Sequence, residues 1–104
     1  MGLYDDTGTS GDPGKLVAGS TTGEFTTVSG DNTIDITDIS VSAGDYYLVY
    51  WSDKTLTLNM NTGGTTSRTI YYRSLAYSSS AMPSSFGTAT DFNWYNFNIY
   101  GTFY

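Results

Sequence analysis

Thr55-Leu56-Thr57-Leu58-Asn59-Met60-Asn61 alternates polar and apolar side chains without a break. Successive side chains of a strand point to opposite faces, so Leu56, Leu58 and Met60 share one face while Thr55, Thr57 and Asn59 share the other. That is the pattern of a strand with one buried side, and it sets the expectation for the whole chain: all-β. Working outward, TIDITDISV (residues 33–41) places Ile34 and Ile36 on one face and Thr33 and Asp35 on the other. DYYLVYWS (residues 45–52) is apolar on both faces, which predicts a central strand.

Residues 15–20, 24–28, 68–73 and 92–104 are further candidates, for about seven or eight short strands in one domain over residues 1–104. Between them lie the turn signals TGTSGDPG, SGDN, SAGD, SDK and NTGG, with the Ser-rich YSSSAMPSSFG as a surface loop. SGDN and SDK are short enough for antiparallel hairpins. No window carries apolar residues at helical spacing, and Thr, Tyr and Gly disfavour helix interiors, so almost no helix is expected. No tandem repeat is visible.

Composition narrows the function. Four basic residues face ten acidic ones, for a net charge of −6 and a pI near 4.1. Nucleic acid and anionic membrane surfaces both require clustered Lys and Arg, so neither is an expected partner. Ten Tyr, five Phe and two Trp give the aromatic content of a folded chain. The longest apolar run, residues 46–51, is far short of the ~20 residues of a membrane-spanning helix, so no membrane insertion is expected. MGLYDD has neither the basic nor the apolar region of a signal peptide, and Asp6 stands where a myristoylation motif wants Ser or Thr.

The alphabet of catalysis is thin. There is no histidine and no cysteine, which removes His-based nucleophile activation, thiolate chemistry and the usual zinc ligands. Asp12, Asp31 and Asp45 each follow a glycine, where Asp completes turns through nearby backbone N–H groups. Glu24 is the single glutamate, so no carboxylate pair of the glycosidase type is evident and the expectation is a protein that is not an enzyme. Asp5, Asp6 and Asp12 offer oxygen ligands for calcium, but their spacing matches no defined calcium loop. An ordinary loop of solvated carboxylates is the preferred reading, with no cofactor expected.

The chain closes on DFNWYNFNIYGTFY (residues 91–104). Strand alternation puts Tyr95, Phe97, Ile99 and Phe103 on a core face. Trp94, Asn96, Asn98, Tyr100, Thr102 and Tyr104 take the other, where flat rings interleave with amides. Trp94, Asn96, Asn98, Tyr100 and Tyr104 are thus the candidate residues for binding a partner or a glycan, against the alternative of cross-strand aromatic pairs in a plain sheet. Tyr47 and Trp51 share one side of their strand and compete for the same roles, with core burial preferred.

LYDDTGTSGDPGKLVAGS, SAGDYYLVYWSD, GGTTSRTIYYRSLAYSS and NIYGTFY resemble a β-sandwich module appended to secreted and cell-surface proteins and present in some viral tail or surface fibres. The most specific part is the aromatic-Asp-Asp loop running through GDPG into a strand, carried by Tyr4, Asp5, Asp6, Gly11, Pro13 and Gly14. The resemblance implies a jelly-roll-like antiparallel sandwich with a non-catalytic binding or architectural role at a cell or virion surface. Such modules carry strand sequence ahead of the loop, whereas only Met1, Gly2 and Leu3 precede Tyr4 here. One strand is therefore expected to be missing. It would be supplied by another chain through donor-strand complementation, or by residues of a longer protein ahead of Met1.

Overall fold

Strand β1 (Gly2–Asp5) organises the best-packed part of the molecule. The computed structural model describes the chain except residues 56, 58–59, 62–68, 78–80, 94–95, 98–100 and 102–104, and at 60–61, 92–93 and 96–97 it describes the backbone alone. β1 pairs antiparallel with β2 (Tyr46–Val49), Leu3 opposite Leu48 and Tyr4 opposite Tyr47. Its other edge bonds to a stretch of irregular chain: Asp5 N–H donates to Lys15 O at 3.0 Å, Gly14 N–H to Asp5 O at 2.8 Å and Val17 N–H to Leu3 O at 2.8 Å. That stretch bonds in turn to residues 84–86, through Leu16 N–H to Ser84 O at 3.0 Å and Phe86 N–H to Gly14 O at 2.8 Å. The order across this layer is β2, β1, 14–17, 84–86.

Two further ladders complete the described secondary structure. β3 (Met60–Asn61) pairs antiparallel with β6 (Asn96–Phe97), and β4 (Thr69–Tyr72) pairs antiparallel with β5 (Thr90–Asn93). Among the described residues the only helical piece is a 3-10 turn at Thr9–Gly11, so the chain is β-rich and antiparallel as the alternation predicts. Met60 of the TLTLNMN stretch and residues 69–72, 92–93 and 96–97 are in strands as expected.

Leu3, Tyr4 and Phe86 are the buried hydrophobic side chains among the described residues. Tyr4 and Phe86 meet edge to face, centroids 5.8 Å apart at 87°, and the Tyr4 hydroxyl donates to Pro83 O at 2.6 Å. Burying a ring of this kind stabilises by about 1.5–3 kcal/mol provided its polar end finds a partner, which Pro83 supplies. Ser20, also buried, accepts from Leu3 N–H at 2.9 Å and donates to Leu3 O at 3.3 Å. One side chain thereby meets both backbone groups of a strand residue.

Several expected strands are absent. Residues 15–20 contribute isolated bridges at Lys15 and Leu16, with a turn following, because this stretch is pinned between β1 and residues 84–86 only where GDPG has delivered it. Residues 24–28 and 33–41 form no ladder, and Val28, Ile34, Ile36 and Val41 are exposed. Alternation prepares a segment for a sheet, but a strand exists only where another backbone accepts its hydrogen bonds. SGDN does make a turn without flanking strands: Asn32 Oδ1 accepts from Val28 N–H at 2.9 Å while its amide donates to Val28 O and Gly30 O, both at 2.9 Å. In SDK, Ser52 Oγ donates to Lys54 O at 2.6 Å, a side-chain turn in place of a hairpin. Among the described residues β2 pairs with β1 alone, where its two-sided apolarity suggests a neighbour on each side. The residues ahead of the aromatic-Asp-Asp loop are themselves strand β1.

Candidate functional site

The loop that follows β1 is built on one carboxylate. Asp5 Oδ1 accepts from Thr7 Oγ1 at 2.6 Å, from Lys15 N–H at 2.7 Å and from Thr7 N–H at 3.1 Å, so a single oxygen closes a turn and ties the two ends of the loop. The Thr7 hydroxyl first, and the Lys15 and Thr7 amides with it, hold this carboxyl below the usual carboxylate range. Gly14 passes so close that a Cβ there would lie 2.6 Å from Asp5 Oδ1 and 2.7 Å from the Gly8 nitrogen, which is why GDPG ends in glycine. Ser10 and Gly11, both with positive φ, turn the loop so that Gly11 O accepts the Tyr47 hydroxyl at 2.5 Å.

An open groove of about 540 Å³ runs between this loop and residues 85–89, lined by the hydroxyls of Thr7, Thr9, Ser85 and Thr88 together with Asp12 and Lys15. Its chemistry is hydrogen bonding with one charge of each sign. Arg73 borders the same segment, donating to Ser85 O at 3.4 Å with its guanidinium 5.8 Å from the centre of the Phe86 ring. The calcium candidates are spent differently. Asp5 serves the loop, Asp12 faces the groove, Asp6 is exposed, and among the described residues no group of three carboxylates converges as a metal site.

Beside the groove, the face of β2 carrying Tyr47, continued by Trp51, meets rings from the chain beyond β3. Tyr47 packs edge to face on Tyr71 at 5.3 Å and 83°, and Trp51 lies 5.0 Å from Tyr77 at 55°. Burial, then the neighbouring Tyr71 and the carboxylates of Asp12 and Asp6, raise the Tyr47 phenol above its ordinary value. Tyr77 is raised first by its 2.6 Å hydrogen bond to Glu24 Oε1 and further by burial. Both phenols remain donors at neutral pH. The Trp51 indole N–H is buried and has no hydrogen-bond partner among the described residues.

Of the sequence-derived binding residues, Trp94, Asn98, Tyr100 and Tyr104 lie outside the described residues. Asn96 is in β6, its backbone opposite Asn61. Tyr47 and Trp51 do share a face, half-buried under partner rings rather than free. Sequence reasoning missed Tyr71, Tyr77 and Glu24 as their neighbours, and Arg73 at the groove. The period-two pattern assigns a side chain to a face but is silent about what crosses it from another layer. No protein-family model matches this chain, and the searches of curated proteins and of solved structures returned no match.

Proposed function

We propose that this protein is a non-catalytic structural or adhesive module of a cell surface or virion surface, a jelly-roll-like β-sandwich that acts through strand-edge and aromatic-face contacts as a subunit of a filament or fibre. One observation carries the reading. Buried hydrophobic side chains among the described residues are Leu3, Tyr4 and Phe86, whereas Val28, Ile34, Ile36, Val41, Leu48, Tyr50, Tyr72 and Leu75 are exposed. Among the described residues the β3–β6 and β4–β5 ladders are two strands each, and two-stranded ribbons alone are marginal in water. A chain with so much apolar surface outside its core gains most by covering it with another chain. The resemblance of the Tyr4–Asp5–Asp6 loop and GDPG to surface-appended sandwich modules supports the same setting.

A glycan-binding module is the second reading, favoured by the register that sets the backbones of Asn61 and Asn96 opposite each other. Light scattering of purified protein over a concentration series separates the two. The assembly reading expects multimers that grow with concentration, and a monomer throughout overturns it. A monomer whose binding to a polysaccharide panel is lost in Trp94→Ala would put the glycan reading in its place.

A further inference from the structure

Residues 33–41 have the sequence of a strand and no ladder to join. Ile34 and Ile36, two residues apart on one face, are 38% and 39% exposed. The segment enters in a fixed direction, since Asn32 clasps Val28 and Gly30 just ahead of it, and it passes the 18–20 turn, where a Cβ on Gly19 would lie 3.1 Å from Ile39 Cγ2. It is thus held out along the surface rather than folded into a sheet.

The same molecule has an edge to receive it. In the layer β2, β1, 14–17, 84–86, the 84–86 side is covered by the Arg73 guanidinium on Ser85 O, whereas β2 pairs with β1 alone among the described residues. The outward face of β2 and its continuation carries Leu48 and Tyr50, 37% and 39% exposed and again two residues apart. An antiparallel strand with Ile36 opposite Leu48 sets Ile34 opposite Tyr50, so both exposed pairs cover each other on one face. In that register Thr37 and Asp35 fall opposite Tyr47 and Val49. Thr33 falls opposite Trp51, and the ladder ends there, because further on Asp31 would stand opposite Asp53 with like charge.

We infer that residues 33–41 of one copy add as an antiparallel strand to β2 in a second copy, along the edge that no described residue of that copy covers. This rests on the assembly reading above and names its contact. The donor leaves one molecule and the acceptor edge belongs to the next, so the contact is head-to-tail and repeats into a filament unless its rotation closes a ring. Asp35 and Asp38 keep the donor from indiscriminate stacking, as charges on edge-forming segments do. The chain could instead fold residues 33–41 back onto its own β2 through SAGD, where Tyr46 already donates to Ser42 O at 2.9 Å. That hairpin is the alternative the test must separate.

The test combines hydrogen exchange with light scattering on the full chain, its Ile34→Lys/Ile36→Lys variant and an Ile34→Val/Ile36→Val control. Both isoleucines are exposed, so the monomer tolerates either change. The inference expects amides of 33–41 and 46–49 to gain protection together as concentration rises. The lysine variant should weaken self-association at least about tenfold, and the valine control by less than about threefold. Multimers unaffected by the lysine variant overturn this contact while leaving assembly standing. Protection of 33–41 that does not change on dilution overturns it in favour of the intramolecular hairpin. Wild-type protein monomeric at every concentration overturns both the contact and the assembly reading.

Discussion

At the scale of single residues, Asp5 is the most informative position. Its carboxylate oxygen holds three donors, and this lowers its pKa from the ordinary value of 3.8. A carboxyl whose folded value is depressed stabilises the fold fully above its unfolded value, and that contribution disappears as pH falls through the folded value. Asp5→Asn keeps the shape and removes the charge. Thermal melts from about pH 6 to about pH 2 should therefore show the wild type above the variant at the upper end, with the gap closing below pH 3.8. A gap independent of pH would mean that shape, not ionisation, secures the loop. This position was half legible in the sequence. An Asp two residues ahead of a Thr signals a turn, but that the same oxygen also takes the Lys15 amide depends on residues 6–14 looping back.

At the scale of elements, β1 shows how a strand forms from residues with little local signal. Gly2-Leu3-Tyr4-Asp5 has no long alternation, yet it is a strand because β2 and residues 14–17 supply ladders on both sides. Ser20 supplies the rest, its hydroxyl standing in for a backbone neighbour at Leu3. Ser20→Ala leaves a buried N–H and C=O without that partner and should cost about 1–3 kcal/mol in urea denaturation. Ser20→Thr keeps the hydroxyl and isolates the steric part. Residues 33–41 are the converse case, with strong alternation and no ladder. The terminal aromatic stretch is described only in part. Its described parts are divided between two ladders, β5 on β4 and β6 on β3.

For the whole molecule, charge and apolar exposure act against each other. A net charge of −6 makes copies repel, while the exposed Ile34, Ile36, Leu48 and Tyr50 favour contact. Salt shortens the reach of the repulsion from roughly 30 Å at about 0.01 M to roughly 3 Å at about 1 M and leaves apolar burial intact. Self-association measured by sedimentation should accordingly tighten as salt rises. Weakening with salt would point to an interface held by ion pairs instead. The sequence by itself determined the all-β character, the scarcity of helix, the absence of histidine and cysteine chemistry, and the turn-forming role of GDPG, because alternation, composition and glycine geometry are local properties. Only the tertiary structure decided which prepared segments became strands, that Tyr71 and Tyr77 roof Tyr47 and Trp51, and that β2 pairs with β1 alone among the described residues. Those outcomes depend on which backbones and rings from distant parts of the chain arrive beside one another, and no local pattern encodes a neighbour.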